Sequence, residues 1–168
     1  MRTILFVTAA CVALLVGASL ASARSQWANE GMASSQYGDS AWSANMAAGP
    51  PDVTTCGDNG NAWATAKAGS RGFIDTYYTY PVTASGIWIY QTYNPGGVTK
   101  VTVYNAEITK SKVVYTAKAT AGGKCPAILK IAVKDVPFPV SIIRTNVDQK
   151  VSNSWTEIDA VRLIGKDI

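Results

Sequence analysis

Acidic side chains are the residues of this chain whose type and spacing could do chemistry. Glu157 and Asp159 stand two residues apart near the C-terminus, and Asp39 and Asp52 lie in segments rich in Gly, Ser and Pro. Carboxylate oxygens are preferred ligands of Ca²⁺, and a pair of carboxylates also suffices for glycoside hydrolysis. The chain has no histidine and no G-x-S-x-G element, which disfavours most zinc sites and nucleophile–base pairs. The hypothesis of a calcium site assembled from separate loops is therefore kept. A carboxylate-based hydrolase is the less favoured interpretation.

The segment Asp58-Asn59-Gly60-Asn61 superficially resembles a helix-flanked calcium loop. It fails the EF-hand pattern because Gly60 occupies the third position, where that pattern needs Asp or Asn, and no glutamate closes the loop. We therefore interpret this segment as an ordinary turn.

The orientation of the two C-terminal acids is the main open question of the sequence. On a strand, Glu157 and Asp159 point to one face. If that face also carries Val161 and Leu163 it is buried, and the two carboxylates then need a cation. The alternative is a solvent face, with Ile158, Ala160 and Ile164 turned inward; the pattern does not decide between them.

The N-terminus and the cysteines indicate export. Arg2 precedes an uncharged apolar run from Ile4 to Leu20, and Ala21-Ser22-Ala23 forms a small-residue cleavage site, so residues 1–23 are predicted to be a secretory signal peptide. No second run long enough to span a membrane follows. Cys56 and Cys125 remain after cleavage, and two cysteines in an exported chain most simply form one disulfide.

The charge pattern disfavours nucleic acid as a partner. The formal net charge is +4, but the lysines are scattered along the chain without a basic block. A dispersed, solvated face accounts for them better than a binding stripe does.

Most of the chain after Gly72 predicts strands that would position these residues. Ile87, Ile89 and Gln91 alternate with Trp88 and Tyr90, and Gly, Pro and Asn separate the alternating segments. Residues 25–68 show no helical period and predict packed loops with one short strand. About seven or eight strands without a helix predict a single all-β sandwich or barrel over residues 24–168. The strand segments are GFIDTYYTYPV, TASGIWIYQTY, VTKVTVYNA, SKVVYTAKA, AILKIAV, VSIIRTNVD and SWTEIDAVRLIG.

Aromatic residues at predicted loop rims are candidates for ligand contact, because their rings stack on sugars or anchor protein partners. Tyr77 and Tyr78 stand at a predicted strand end, and Tyr93 and Asn94 border the Asn-Pro-Gly-Gly turn. These four residues are our ligand-binding candidates, and packing in the core is the competing role for each aromatic ring.

Several segments together resemble the discoidin-related, galactose-binding-like β-sandwich domain of pappalysins, called the scarf domain. The similar segments are ASSQYGDSAWSA, GPPDV, CGD, AWA and the terminal EIDAVRLIG. The resemblance implies an eight-stranded jelly roll with its two ends side by side. It also implies a structural Ca²⁺ near that junction, with Asp52 and Glu157 in the best-matching positions and Asp39 and Asp159 as reserves.

The resemblance further implies binding through loops at one end of the sandwich. We expect a secreted, non-catalytic module whose partner is an extracellular glycan or glycoprotein. A structural or matrix protein that contacts other proteins is the alternative, and a carboxylate-based glycan hydrolase is the third.

Overall fold

The computed structural model describes residues 22–168. They form eight β-strands and one short 3-10 helix, Ala44–Ala47. The predicted signal peptide lies outside the described residues except for its last two, and Ala23 is the first residue of β1. Residues 22–168 contain no helix with the length and apolarity needed to cross a membrane. The strands are β1 (Ala23–Trp27), β2 (Glu30–Ala33), β3 (Arg71–Tyr93), β4 (Val98–Tyr104), β5 (Ser111–Thr116), β6 (Ala127–Ala132), β7 (Val140–Asp148) and β8 (Glu157–Asp167).

The long strand β3 joins the two layers of a β-sandwich. Its first part, Arg71 to Tyr77, pairs with β2 and β7. Its second part, Val82 to Tyr93, pairs with β8, and within it Gly86 to Gln91 pairs with β6. From these pairings β7 continues to β4 and β5, and β8 continues to β1, all antiparallel. The predicted all-β sandwich is confirmed.

The apolar alternation of β3 builds the core as the sequence predicts. Ile87, Ile89 and Gln91 are buried, whereas Trp88 and Tyr90 between them are half-buried on the outer face. Each isoleucine removed from water contributes about 1.5–3 kcal/mol. The pattern therefore fixes which face of β3 is turned inward.

Two details of the strand assignment were predicted incorrectly. The predicted segments GFIDTYYTYPV and TASGIWIYQTY are one strand. Pro81 does not interrupt it, because Pro81 lies where pairing shifts between Tyr77 and Val82 and its missing N–H is not needed by the ladder. The region 25–68 also contains two short strands instead of one. β1 and β2 are each stabilised by a partner far away in sequence, β8 and β3, which local patterns do not reveal.

The predicted disulfide is present. Cys56 and Cys125 are bonded with a Cα–Cα distance of 5.2 Å, within the normal range for a disulfide. Cys56 lies in the long loop before β3, and Cys125 lies directly before β6. The bond therefore fixes the loop region 48–70 to the sandwich, next to the start of β8.

Candidate ligand-binding site

A loop folded against the start of β8 builds one end of the sandwich. Trp63 is buried, and its backbone N–H and C=O pair with Ile158 at 2.8 and 3.1 Å. Its indole N–H donates to the carbonyl of Ser35 at 3.1 Å. Three segments thus meet here: the chain around Ser35, the loop before β3, and β8.

Both faces of β8 are buried at its N-terminal end. Glu157 is 1% exposed and Asp159 is 2% exposed, while Ile158 and Ala160 between and beside them are also buried. The hypothesis of a solvent face for the two acids is therefore wrong. Both carboxylates lie inside the protein, where a charge is costly without compensation.

Glu157 lies against a second carboxylate. Its Oε2 accepts a hydrogen bond from the backbone N–H of Asn59 at 3.0 Å, and the Asp58 side chain contacts it. Burial, together with the neighbouring Asp58, raises the pKa of Glu157 to about 8, although the Asn59 N–H opposes the shift. The three ion pairs formed within residues 22–168 use Arg24, Arg71 and Arg144, and none of them involves Glu157 or Asp58.

Asp159 is the partner of Asp52. Its two oxygens accept long hydrogen bonds from the N–H groups of Asp52 and Val53, both at 3.4 Å. Burial is the main cause that raises the pKa of Asp159 to about 6, and the Asp52 carboxylate adds to it. The four acids at this end therefore form two separate carboxylate pairs.

Three aromatic rings complete a small cavity over the first pair. Tyr37, Trp42 and Trp155 line it together with Asp58 and Glu157, and its volume is about 70 Å³. We call these five residues the acidic aromatic pocket. The Tyr37 ring meets Trp42 edge to face at 5.4 Å and Trp155 at 5.5 Å. The cavity holds more than a water molecule but not a whole sugar ring.

The backbone around Trp42 is held in an unusual conformation. Its φ is 55°, in the left-handed region that a bulky residue rarely adopts. The loop before β3 fixes it there: Trp42 N–H donates to the Gly60 carbonyl at 2.7 Å, and its indole N–H donates to Asp58 Oδ1 at 2.9 Å. A Cβ at Gly60 would lie 2.9 Å from the Ala41 Cβ, so this close approach requires glycine. The structure thus fixes the position of one wall of the pocket.

Comparison with known proteins identifies the family. A family model described as "Pappalysin-1, SD scarf domain, C-terminal" matches residues 19–167. The chain belongs to this family. No curated protein sequence matches it.

Several solved structures share the fold of this scarf domain. Chitosan-binding module 1 from a Paenibacillus sp. IK-5 chitosanase/glucanase is 18% identical, with a TM-score of 0.62 over 82% of this chain and 96% of that one. An F5/8 type C domain from Bacteroides fragilis is 18% identical, with a TM-score of 0.57 over 84% and 98%. A mutant lectin binding domain of Lectinolysin, in complex with Lewis b, is 11% identical, with a TM-score of 0.55 over 82% and 92%. At these identities the likeness establishes the discoidin-like, galactose-binding-like fold.

The predicted calcium ligands of the scarf domain are not gathered into one cluster. Asp52 pairs with Asp159, and Glu157 pairs with Asp58, which the sequence had assigned to an ordinary turn. Asp39 is exposed and accepts a hydrogen bond from the Gln36 amide at 3.2 Å. Within residues 22–168 no group of three or more His, Cys, Asp or Glu side chains is arranged to hold a metal.

Two of the predicted ligand contacts, Tyr93 and Asn94, are neighbours of residues that line the pocket but do not line it themselves. The Asn94 side-chain amide donates to Ser154 Oγ at 3.0 Å and to the Trp155 carbonyl at 3.1 Å, so it holds the segment that carries Trp155. Tyr93 stands opposite Glu157 in the pairing of β3 with β8. Asn94 therefore helps to position Trp155, which forms one wall of the pocket.

The other two predicted contacts lie away from this end of the scarf domain. Tyr78 is 6% exposed, and its hydroxyl donates to the Val161 carbonyl at 3.2 Å, so its prediction as a ligand contact is wrong. Tyr77 lies within β3, opposite Glu30 on one side and Ile142 on the other. The physical reason is that β3 continues through this point, so neither tyrosine stands at a strand end.

A larger cavity of about 890 Å³ opens elsewhere on the surface, along the start of β3 and the end of β7. It is lined by Arg71, Lys100 and Lys118, and its acid, Asp148, is paired with Arg71 at 2.7 Å. This groove is wide and open, and its charges are exposed or already paired. The acidic aromatic pocket is smaller, but it combines convergent rings with a buried carboxyl group that no Lys or Arg of the described residues pairs, which is the stronger sign of a binding site.

Proposed function

We propose that this scarf domain is a secreted, non-catalytic module that binds an extracellular glycan at the acidic aromatic pocket. The observation that carries the proposal is the convergence of three aromatic rings and two carboxylates at one loop end of the sandwich. Carboxylates accept hydrogen bonds from sugar hydroxyls, and aromatic rings pack against the apolar faces of sugars. Binding of chitosan and of Lewis b by proteins of the same fold supports the same ligand class.

The spacing of the acids favours binding over hydrolysis. Glu157 and Asp58 are in hydrogen-bonding contact, and so are Asp159 and Asp52. The two carboxyl groups of a retaining glycosidase stand about 5 Å apart, and those of an inverting enzyme stand farther apart. Neither pair leaves room between its carboxyl groups for a glycosidic bond.

Secretion is part of the proposal and is supported by the disulfide. A bond between Cys56 and Cys125 persists in an oxidising compartment, such as the extracellular space. The predicted signal peptide would deliver the chain there. Mass spectrometry of the secreted protein tests this, because we expect the mature N-terminus at Arg24.

A structural calcium remains a separate proposal, with Asp52 and Asp159 as the carboxylates best suited to hold it. They bring two acids from distant segments into contact, and a cation would offset the repulsion between them. A bound Ca²⁺ would link the loop before β3 to β8. The midpoint of thermal unfolding should then rise by several degrees when Ca²⁺ is added after EGTA treatment. An Asp159→Asn variant that still shows the full rise would refute the assignment.

The glycan proposal is tested with an array and a matched pair of variants. Tyr37 and Tyr80 are 55% and 53% exposed, but only Tyr37 lines the pocket. We expect saturable binding to at least one glycan class, reduced tenfold or more by Tyr37→Ala and unchanged by Tyr80→Ala. Blank arrays together with recovery of a stable protein partner would favour the alternative of a matrix protein.

A further inference from the structure

The rings of the acidic aromatic pocket have no cation–π partner among residues 22–168. Within residues 22–168, six cation–π contacts use the rings of Trp27, Phe73, Tyr80, Trp88 and Tyr104. None of the six involves a ring of the pocket. The protein therefore places cations on its exposed sheet faces but leaves these three rings available to a cation from outside.

The rings and the acids together enclose the cavity on several sides. Tyr37 lies at interplanar angles of 76° to Trp42 and 83° to Trp155, so the rings form walls and not a flat stack. Asp58 supplies negative charge beside those walls, and Glu157, which is 1% exposed, supplies a second carboxyl group. Perpendicular rings around a small space beside carboxylates form the arrangement that attracts ammonium groups.

The hydrogen-bonding groups of the pocket also favour a ligand that donates hydrogen bonds. The indole N–H of Trp42 donates to Asp58, and that of Trp155 donates to the Thr65 carbonyl at 2.9 Å. Both indole donors are therefore occupied, and the carboxylate oxygens remain as acceptors. A ligand group that carries both positive charge and N–H donors matches this set, whereas an amide carbonyl or an acidic sugar does not.

We propose that the acidic aromatic pocket receives the protonated amine of a non-acetylated amino sugar, with Asp58 as its counter-charge, Glu157 as a hydrogen-bond acceptor and the three rings as its walls. This rests on the proposed glycan-binding function and names the ligand class. The volume of about 70 Å³ suits an ammonium group and its attached carbon, while the sugar ring lies at the mouth against Tyr37. A neutral hydroxyl would form no cation–π contact with the rings and no ion pair with Asp58, so neutral sugars bind more weakly.

Calorimetry on the complete secreted protein tests this with three matched ligands. Oligosaccharides of glucosamine should bind at least tenfold more tightly than their N-acetylated or amine-free counterparts at pH 6 and low salt. Tetramethylammonium is the probe for a cation that carries no sugar. Equal or weaker binding of the amine would overturn the inference.

Failure of the inference is distinguishable from failure of the proposed function. If N-acetylated or amine-free sugars bind best, and Tyr37→Ala abolishes that binding, the glycan function stands and the ammonium inference falls. If tetramethylammonium alone binds, the acidic aromatic pocket does bind cations, but the assignment of an amino sugar as the ligand is wrong. If none of the probes binds but the array shows binding of another glycan class, only the ammonium inference falls; if the array is blank as well, both proposals fall.

A pair of isosteric variants separates charge from shape. Asp58→Asn keeps the size of the side chain and the oxygen that accepts from the Trp42 indole, and it removes the charge, so it should abolish the preference for the amine over the N-acetylated sugar. Glu107→Gln, at an exposed position outside the pocket, is the control and should retain the preference. An amine preference that survives Asp58→Asn would contradict the role given to this carboxylate.

Discussion

Replacing Glu157 by glutamine should make the cation-free protein more stable. Glutamine has the same size, its carbonyl oxygen can accept the hydrogen bond that Glu157 takes from Asn59 N–H at 3.0 Å, and its amide can donate to Asp58. The substitution therefore keeps these two hydrogen bonds while removing an ionisable group that no Lys or Arg of the described residues pairs and that must take up a proton on folding. Most substitutions of a buried residue destabilise a protein, so the predicted sign is unusual.

The magnitude follows from the pKa of Glu157, which burial and Asp58 raise from 4.5 to about 8. At pH 7 the carboxyl is largely protonated in the folded state and ionised in the unfolded state, so folding takes up a proton. This uptake costs about 1.4 kcal/mol for each pH unit above the unfolded pKa. Allowing for solvent at the mouth of the pocket, we expect Glu157→Gln to raise the free energy of unfolding by about 2 kcal/mol at pH 7.

The pH dependence gives the same prediction a second readout. Because the folded pKa is the higher one, the stability of the wild type should increase as the pH falls from 8 towards 4.5. Asp159, with a pKa of about 6, adds the same trend only at lower pH. Between pH 7.5 and 6 the Glu157→Gln variant should therefore show a nearly flat profile.

Urea unfolding in EGTA, followed by tryptophan fluorescence at four pH values, measures both effects. Glu107→Gln is the control and should change neither the stability nor its slope with pH. A Glu157→Gln variant that is less stable than the wild type at pH 7, or that keeps its full slope between pH 7.5 and 6, would refute the reasoning.

Three further outcomes follow from other contacts. Replacing Cys56 and Cys125 by serine should lower the free energy of unfolding by about 4 kcal/mol, since their bond closes a 69-residue separation; a loss below 1 kcal/mol would contradict this. Asp75→Asn should cost about 2 kcal/mol in urea unfolding, because the amide can accept only one of the two hydrogen bonds, of 2.7 and 2.6 Å, that Arg144 donates to the carboxylate, and the ion pair is lost; a neutral effect would mean that the pair is not coupled. Asn94→Ala should broaden or shift the Trp155 indole resonance by releasing the segment that Asn94 holds, and an unchanged spectrum would exclude that role.

The architecture was predictable because its signals are local. Alternation at Ile87, Ile89 and Gln91 assigns the inner face of β3, and two cysteines in an exported chain leave one simple pairing. The misassigned tyrosine, Tyr78, shows the limit of that approach. Its burial depends on β3 continuing past Pro81, which is a consequence of pairing with two different neighbours.

The acidic aromatic pocket could be predicted only in part. The sequence singled out Glu157, but it assigned Asp58 to an ordinary turn. Their contact depends on a loop whose Asn59 meets a strand 98 residues away, so no periodicity connects them. The unusual backbone of Trp42 depends in the same way on the close approach of Gly60. Long-range loop packing, which has no local pattern, decides this site.

The indole resonances test the central claim most directly. The chain has five tryptophans, and a titration of the ¹⁵N-labelled protein with the best-binding glycan follows each indole N–H separately. Trp42 and Trp155 line the pocket, whereas Trp27 and Trp88 lie on the outer sheet face and Trp63 is in the core. We predict saturable shifts at Trp42 and Trp155 with the other three unchanged. Shifts confined to Trp27 and Trp88 would place the ligand on the sheet face and contradict the account.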